Sequence, residues 1–418
     1  MGSRFWVETL GCPKNQVDSD KLVGVLEADG YAAADDPADA DLVVVNTCAF
    51  VEEARQESID TILAFSDKRA PGAKLVVTGC MAERYKDELA DALPEVDLVA
   101  PFGVPVTIGS KPRSEPLVPS LDLLELPRPA ATAPWAYVKV AEGCDRACGF
   151  CAIPSFRGKQ RSRSIDSILD EVDGLGVQEV VLVAQDLASY GKDVAGMGAG
   201  SIVPLVRQVA ARVPRTRLLY LYPSDLTDAL IDTIGSVTGV PYFDLSLQHV
   251  SRPLLRRMRR WGDGERFLER ITRIRELWPD AAFRSNFIVG YPGETEADHE
   301  NLVRFVGAAQ LDWVGFFSYS EEDGTYAAGL DSKVDRSLVA DRLGELTELQ
   351  DDITADRRRA LVGSVVEVLV DEPGIGRSHR EAPEIDGVIE VPDTLPTGKL
   401  ATVRVTAAFG PDLTGEAA

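Results

Sequence analysis

Histidine is scarce in this chain: His249, His299 and His379 are the only three in 418 residues. They are scattered, so each reads as an ordinary core or surface residue and no histidine-based metal centre is expected. Long apolar runs are missing too. Leu42 to Val45 and Val180 to Ala184 are strand-sized, and no run reaches the roughly 20 residues that a membrane-spanning helix needs. The start, MGSRFWVETLGCPKN, has no basic stretch leading into an apolar core and a small-residue cleavage site; no secretory signal is read, and a cytoplasmic location is expected. Positive charge is in deficit, with 44 Lys and Arg against 67 Asp and Glu and a net charge of -23. That argues against gripping phosphate backbones over the whole surface and is compatible with a basic protein as partner. Cysteine is also sparse, at six residues. A reducing compartment makes disulfides unexpected, so the positions of the six decide their meaning.

Three segments in the first hundred residues share one pattern. Arg4 to Leu10 reads as a strand ending at Cys12, Leu42 to Val45 as a strand ending at Cys48, and Leu75 to Thr78 as a strand ending at Cys80. Helical patterns follow at Ser19 to Asp29, Glu52 to Phe65 and Ala82 to Leu93. The alternation predicts an α/β domain over residues 1–102 with a parallel sheet. Ligands sit beyond the carboxyl ends of such strands, where all three cysteines fall. Residues 103–134 are proline-rich (Pro105, Pro112, Pro116, Pro119, Pro127, Pro129, Pro134) and read as a linker.

From 135 to 362 the alternation resumes. Strands are expected at Ala136 to Val140, Glu179 to Ala184, Arg217 to Tyr222, Tyr242 to Leu247, Ala282 to Val289 and Trp313 to Phe317. Helical patterns lie between them, and a long charged helix, Ser337 to Leu361, closes the domain. Six βα units predict a partial (βα)6 barrel resembling an incomplete TIM barrel. Residues 363–418 alternate short β runs with Gly and Pro turns and predict a small antiparallel β-barrel.

The sharpest motif is Cys144-Asp-Arg-Ala-Cys148-Gly-Phe-Cys151, just past the first strand of the central domain. Three thiolates in a short loop can hold three irons of a cubane cluster. The fourth iron then lacks a protein ligand, and an open metal site is where a reactant binds. A structural zinc site would want a fourth Cys or His, and none lies close in sequence. Gln185-Asp186 and Gln248 end strands at the expected mouth and are candidates for cofactor or substrate hydrogen bonds.

A CxxxCxxC triplet on the first loop of a partial βα barrel resembles the radical S-adenosylmethionine superfamily. The resemblance implies that Cys144, Cys148 and Cys151 hold a 4Fe-4S cluster whose open iron is chelated by S-adenosylmethionine, which is then split to a radical that abstracts a hydrogen. It also implies that Phe150 abuts the adenine and that Gly290-Tyr-Pro-Gly-Glu294 lies near it. With Cys12, Cys48 and Cys80 added, nearly the whole chain resembles the methylthiotransferases, which join an N-terminal cluster domain, a radical domain and a C-terminal TRAM barrel. That implies a second 4Fe-4S cluster on these three cysteines, two S-adenosylmethionines per turnover, and a reductase as electron donor.

Two subfamilies differ in substrate: one modifies the β-carbon of an aspartate in ribosomal protein S12, the other an adenosine of tRNA. Leu10-Gly-Cys-Pro-Lys-Asn15, with Val17-Asp-Ser19, resembles the ribosomal-protein enzymes, as does Gly376-Arg-Ser-His-Arg-Glu-Ala-Pro-Glu-Ile-Asp-Gly387. Gln16 and Arg284-Ser285 depart from that subfamily's usual pattern. Residues 363–418 carry ten acids against four bases, a sign unsuited to RNA and suited to a basic ribosomal protein. Against this stand Arg157, Lys159, Arg161 and Arg163, and a second group, Arg252, Arg256, Arg257, Arg259 and Arg260. These are candidates for phosphate or carboxylate contacts, with solvated surface charge as the default. Contact with rRNA or tRNA is not favoured by charge, and the tRNA 2-methylthiotransferase reading stands second. A nonenzymatic iron–sulfur carrier stands third, since a carrier would saturate its clusters with four cysteines.

Overall fold

The computed structural model describes residues 3–102, 104, 106, 123–198 and 201–418. The N-terminal domain is a parallel sheet in which β1 (Arg4–Thr9) is followed by α1 (Pro13–Ala28) and β2 (Ala32–Ala33). Next come β3 (Leu42–Thr47), α2 (Glu52–Lys68), β4 (Lys74–Gly79), α3 (Cys80–Ala92) and β5 (Leu98–Val99). The strand order is β2-β1-β3-β4-β5. Strand β3 is buried along its whole length. Val43 and Val45 join the core on one face, Leu42 and Val44 that on the other, as the two-residue period of a central strand requires. Helix α1 begins at Pro13, six residues before the expected start at Ser19, because proline at the first helical position needs no N–H partner. Helix α3 begins at Cys80 itself.

Of the proline-rich linker, Pro105, Pro112, Pro116 and Pro119 lie outside the described residues. The described end packs on α1, where a Cβ at Gly24 would stand 2.8 Å from the Pro127 carbonyl. Arg128 there pairs with Asp20 and Glu171.

The central domain opens with β6 (Trp135–Lys139), β7 (Ala141–Glu142), α4 (Ile153–Arg157) and β8 (Arg161–Ser162), with β7 and β8 antiparallel. The βα units continue as α5 (Ile165–Leu175), β9 (Glu179–Val183), α6 (Ile202–Ala210), β10 (Arg215–Leu218), α7 (Asp228–Ser236) and β11 (Tyr242–Gln248). Then come α8 (Arg252–Arg257), α9 (Gly264–Leu277), β12 (Ala282–Val289), α10 (Glu296–Ala309), β13 (Trp313–Ser318) and the closing helix α11 (Arg336–Arg359). The six long strands are parallel and form two triplets, β10-β9-β6 and β11-β12-β13, joined by the single bridge Leu221–Leu245. Strand β10 stops at Leu218 rather than continuing to Tyr222, because Tyr220 turns the chain into the left-handed region at φ +64°. Helix α1 packs on β6, and its Val17 shares a core with Tyr137, Val181 and Leu219 of the barrel.

The last domain is a closed barrel of β14 (Val365–Glu372), β15 (Ile375–Arg377), β16 (Ile389–Glu390), β17 (Leu400–Phe409) and β18 (Asp412–Ala417). One pair, β16–β18, is parallel, so the barrel is not wholly antiparallel as expected. The segment after β15 closes the amino-terminal end of the large barrel. Trp313 donates its indole N–H to the Arg380 carbonyl at 2.6 Å, and Tyr137 its hydroxyl to that of Pro383 at 3.0 Å. Arg284, which departs from the subfamily pattern, pairs with Asp386 at 2.5 Å. Arg377 joins Asp371 and Glu179. The resembling signature at 376–387 is therefore a seam between domains. Of the barrel's charges, exposed Glu367, Glu372, Glu384, Glu390, Asp393 and Glu416 outnumber exposed Lys399 and Arg404.

Glu179 is fully buried in this seam. Burial alone would raise its pKa, but Arg217, Arg377 and Arg215 outweigh burial and hold it at about 2, below its ordinary 4.5. A depressed carboxyl stabilises the fold above pH 4.5 and loses that contribution as pH falls toward 2. We expect on the order of 3 kcal/mol to vanish across this window. Limited proteolysis from pH 5 to 2.5 should release the C-terminal barrel progressively, and a Glu179→Gln variant should lose that part of the pH dependence.

Candidate functional site: two cysteine triads

Cys12, Cys48 and Cys80 each stand at the carboxyl edge of the N-terminal sheet, after β1, β3 and β4. Local sequence brings them together. Gly11 at φ +92° could not carry a side chain, because a Cβ would sit 2.8 Å from Cys48 Cβ and 2.9 Å from its Sγ. Asn15 ties the loops, donating from Nδ2 to the carbonyls of Leu10 (2.9 Å) and Thr47 (3.0 Å). Asn46 donates to Asn15 O and Ser19 Oγ. Burial, with the nearby Cys12 and Cys80, pushes the Cys48 thiol up to about 12. Crowded buried thiols resist ionising together unless a cation shares the site.

The second triad occupies the loop between β7 and α4. Gly143 at φ +78° turns the chain, and Cys144 N–H donates to Gly158 O at 3.0 Å. Gly149 N–H donates to Met258 O at 2.8 Å, and a Cβ there would meet the Tyr291 hydroxyl at 2.8 Å. Arg146 N–H points at Cys144 Sγ (3.4 Å) and Arg260 Nη1 at Cys148 Sγ (3.3 Å). Both guanidinium groups stack on Tyr222, at 3.9 and 4.1 Å from its centroid. Burial, with neighbouring Cys148 and Cys144, pushes Cys151 up to about 12. All six cysteines are free thiols. No group of three or more His, Cys, Asp or Glu among the described residues is placed to hold one metal ion. A cubane instead spreads three thiolates over three irons. The two donor sets fit that demand: three sulfurs, glycines that admit close approach, and N–H donors aimed at sulfur.

The other residues singled out in the sequence divide. Phe150 packs against the main barrel core beside Cys151. Gln185 donates to Glu142 Oε1 at 2.6 Å, while its own Oε1 and Asp186 Oδ1 are buried without hydrogen-bond partners. Gln248 ends β11 at φ +69°. Gly290 at φ +82° leaves room for Val339 of α11, which a Cβ would meet at 2.4 Å. Glu294 is engaged internally: its oxygens accept from Gly290 N–H (2.6 Å) and Arg342 Nη1 (2.8 Å), so it braces the Gly-Tyr-Pro-Gly turn. His249, held near pKa 4 by burial against the opposing effect of Asp298, accepts from Ser251 N–H at 3.0 Å. His299 meets Glu345 and His379 meets Asp280 O, so none of the three serves either triad.

Sequence reasoning missed the residue that joins the N-terminal site to the central domain. Arg157 was grouped with solvated or phosphate-facing arginines, yet it is buried. Its guanidinium donates to Cys80 Sγ (3.0 Å), Asn15 Oδ1 (2.8 Å), Asp18 (3.0 Å) and Glu142 (2.9 Å). Arg163 is likewise buried against Glu171. Arg257 pairs with Asp331, and Arg259 stacks on Tyr326. Between the domains, Glu322 also accepts from Arg55 at 2.6 Å and Arg84 at 2.5 Å.

A six-stranded partial barrel with a CxxxCxxC loop at its mouth defines a radical S-adenosylmethionine protein, and the Radical SAM superfamily model matches residues 138–306. An uncharacterized protein family, UPF0004, matches 4–101, and the TRAM domain matches 362–418. The chain is 42% identical to a ribosomal protein uS12 methylthiotransferase RimO of Kineococcus radiotolerans, covering 98% of this chain and 96% of that protein. It is 43% identical to the protein of that name from Saccharopolyspora erythraea, covering 98% and 94%. The chain belongs to the ribosomal protein uS12 methylthiotransferase (RimO) family. Among solved structures it shares its fold with the radical S-adenosylmethionine methyltransferase TsrM from Kitasatospora setae, at TM-score 0.52 and 14% identity over 95% of this chain and 84% of that one.

Proposed function

We propose that this chain is a radical S-adenosylmethionine methylthiotransferase that adds a methylthio group to the β-carbon of an aspartate in ribosomal protein uS12. The observation that carries this reading is the pair of three-cysteine sites, each following strands of a parallel sheet, in a chain alike over nearly its full length to uS12 methylthiotransferases. Cys144, Cys148 and Cys151 would hold one 4Fe-4S cluster, and Cys12, Cys48 and Cys80 the other. When bound, these clusters and S-adenosylmethionine supply the one-electron cleavage and the methylthio group.

The chain's own residues prepare the site. Arg146, Arg260 and Arg157 place positive charge and N–H donors against the thiolates, which makes added electrons easier to hold. The unsatisfied Oε1 of Gln185 and Oδ1 of Asp186 offer acceptors for the ammonium or ribose hydroxyls of S-adenosylmethionine. Phe150 offers its face to the adenine. The acidic surface of the C-terminal barrel suits approach by a basic ribosomal protein. No helix among the described residues is long and apolar enough to cross a membrane. The reading places the enzyme in the cytoplasm with a reductase as electron donor.

Mass spectrometry of uS12 and tRNA from a deletion strain tests the substrate. Loss of a methylthio mass from the aspartate with tRNA unchanged is the expected result. Loss from tRNA adenosine instead would overturn it.

A further inference from the structure

We propose that Lys14 forms a carboxylate-binding subsite for the substrate aspartate, between the N-terminal cysteines and the mouth of the barrel; this rests on the uS12 reading above. Lys14 lies in the first turn of α1, two residues after Cys12. A cation there faces the positive end of the helix dipole, which is the unfavourable arrangement. Only 8% of its surface is exposed. Among the described residues its ammonium has no hydrogen-bond acceptor and no carboxylate, and no cysteine sulfur lies within hydrogen-bond reach. Its polar contact is the ring of Tyr220, whose centroid is 3.5 Å away.

Every other buried lysine or arginine among the described residues has a carboxylate partner, as Lys21 has Glu171 and Lys139 has Asp18. The opposite charges that face Lys14 are those of Cys12 and Cys80. A buried ammonium with no acceptor for its N–H groups is costly, and local rules broken in this way mark functional positions. Tyr220, the platform, breaks a second rule with its left-handed backbone, where its N–H is pinned by Asp244 Oδ2 at 2.9 Å. An ammonium on an aromatic face directs part of its N–H set at the ring and keeps the remaining donors for a ligand. The neighbouring Asn15 differs, because both ends of its amide are engaged.

What Lys14 lacks is an oxygen acceptor for its N–H groups, and the reaction supplies an anionic one. The aspartate carboxylate is bonded to the β-carbon that receives the methylthio group. Pairing it with Lys14 would hold that carbon beside Cys12 and its neighbours, a positioning effect. A nucleobase carries no such anion at its reacting carbon, so the same lysine discriminates against an adenosine.

The test measures binding of unmodified uS12, and of uS12 with the target Asp replaced by Asn, to the reconstituted enzyme and to its Lys14→Gln and Lys14→Arg variants. Iron content is assayed in parallel. For one charge-assisted hydrogen-bonded pair, Lys14→Gln should weaken the Asp form about tenfold to a hundredfold. The Asn form should change less than about twofold, and Lys14→Arg should recover part of the loss. Equal effects on both forms, or none, would overturn the subsite. A fall in iron content would also overturn it, by assigning Lys14 to the cluster. If the parent enzyme binds neither form but methylthiolates tRNA, the uS12 reading itself has failed.

Discussion

Replacing Cys144, Cys148 or Cys151 by Ala will abolish both 5′-deoxyadenosine formation and methylthio transfer, whereas replacing Cys12, Cys48 or Cys80 by Ala will stop transfer while 5′-deoxyadenosine still forms. The triads sit on separate sheets with separate supports. Cys48 depends on Gly11 and on Ser58, whose Oγ accepts from the Cys48 N–H at 3.1 Å. Cys148 depends on Arg260 and on the loop tied to Met258. Removing one thiolate from a three-thiolate cluster leaves two irons without a protein ligand, so each variant should keep about half the iron of the parent. Chromatography for 5′-deoxyadenosine, iron analysis and mass spectrometry of uS12 separate the two classes. N-terminal variants that attach the group at the parental rate would show that Cys12, Cys48 and Cys80 do not hold a second cluster.

Arg157→Met is expected to be the most destabilising single change outside the cysteines. It strips a buried guanidinium from two carboxylates, an amide and a thiol. Asp18 and Glu142 would keep only Lys139 as counter-ion. Breaking a buried ion pair by removing one partner costs about 3–5 kcal/mol. Arg157→Lys should recover less than half of this, because an ammonium cannot reproduce the planar fork. Arg157 lies on α4 of the central domain, and Asn15, Asp18 and Cys80 on the N-terminal one, so the loss should also loosen the domains. Urea unfolding of both variants checks this; a loss below about 1 kcal/mol for Met would show that the network is replaceable.

Much of the architecture was legible because strand period, turn residues and cysteine spacing are local signals. The three N-terminal strands, the six barrel strands and the closing helix all lie where alternation placed them, within a few residues. Boundaries moved where a single backbone conformation intervened, as Pro13 advanced α1 and Tyr220 cut β10 short. The arginines were the weak point. In the sequence, Arg157 and Arg163 look like the solvated bases around them, since nothing local tells whether a carboxylate waits across a domain boundary. Arg377 and Arg380 count among the four bases of residues 363–418, yet both are buried in the seam.

By itself, the sequence determined the three domains, the two cysteine triads and the likeness to methylthiotransferases, because each rests on residues close together in the chain. Only the tertiary structure decided which charges are buried, how the C-terminal barrel closes the large one, that Arg157 stands beside Cys80, and that Lys14 lies on the ring of Tyr220. The reason is physical: a charge acquires its role from desolvation and from partners, and here the partners are brought from elements as much as 267 positions away.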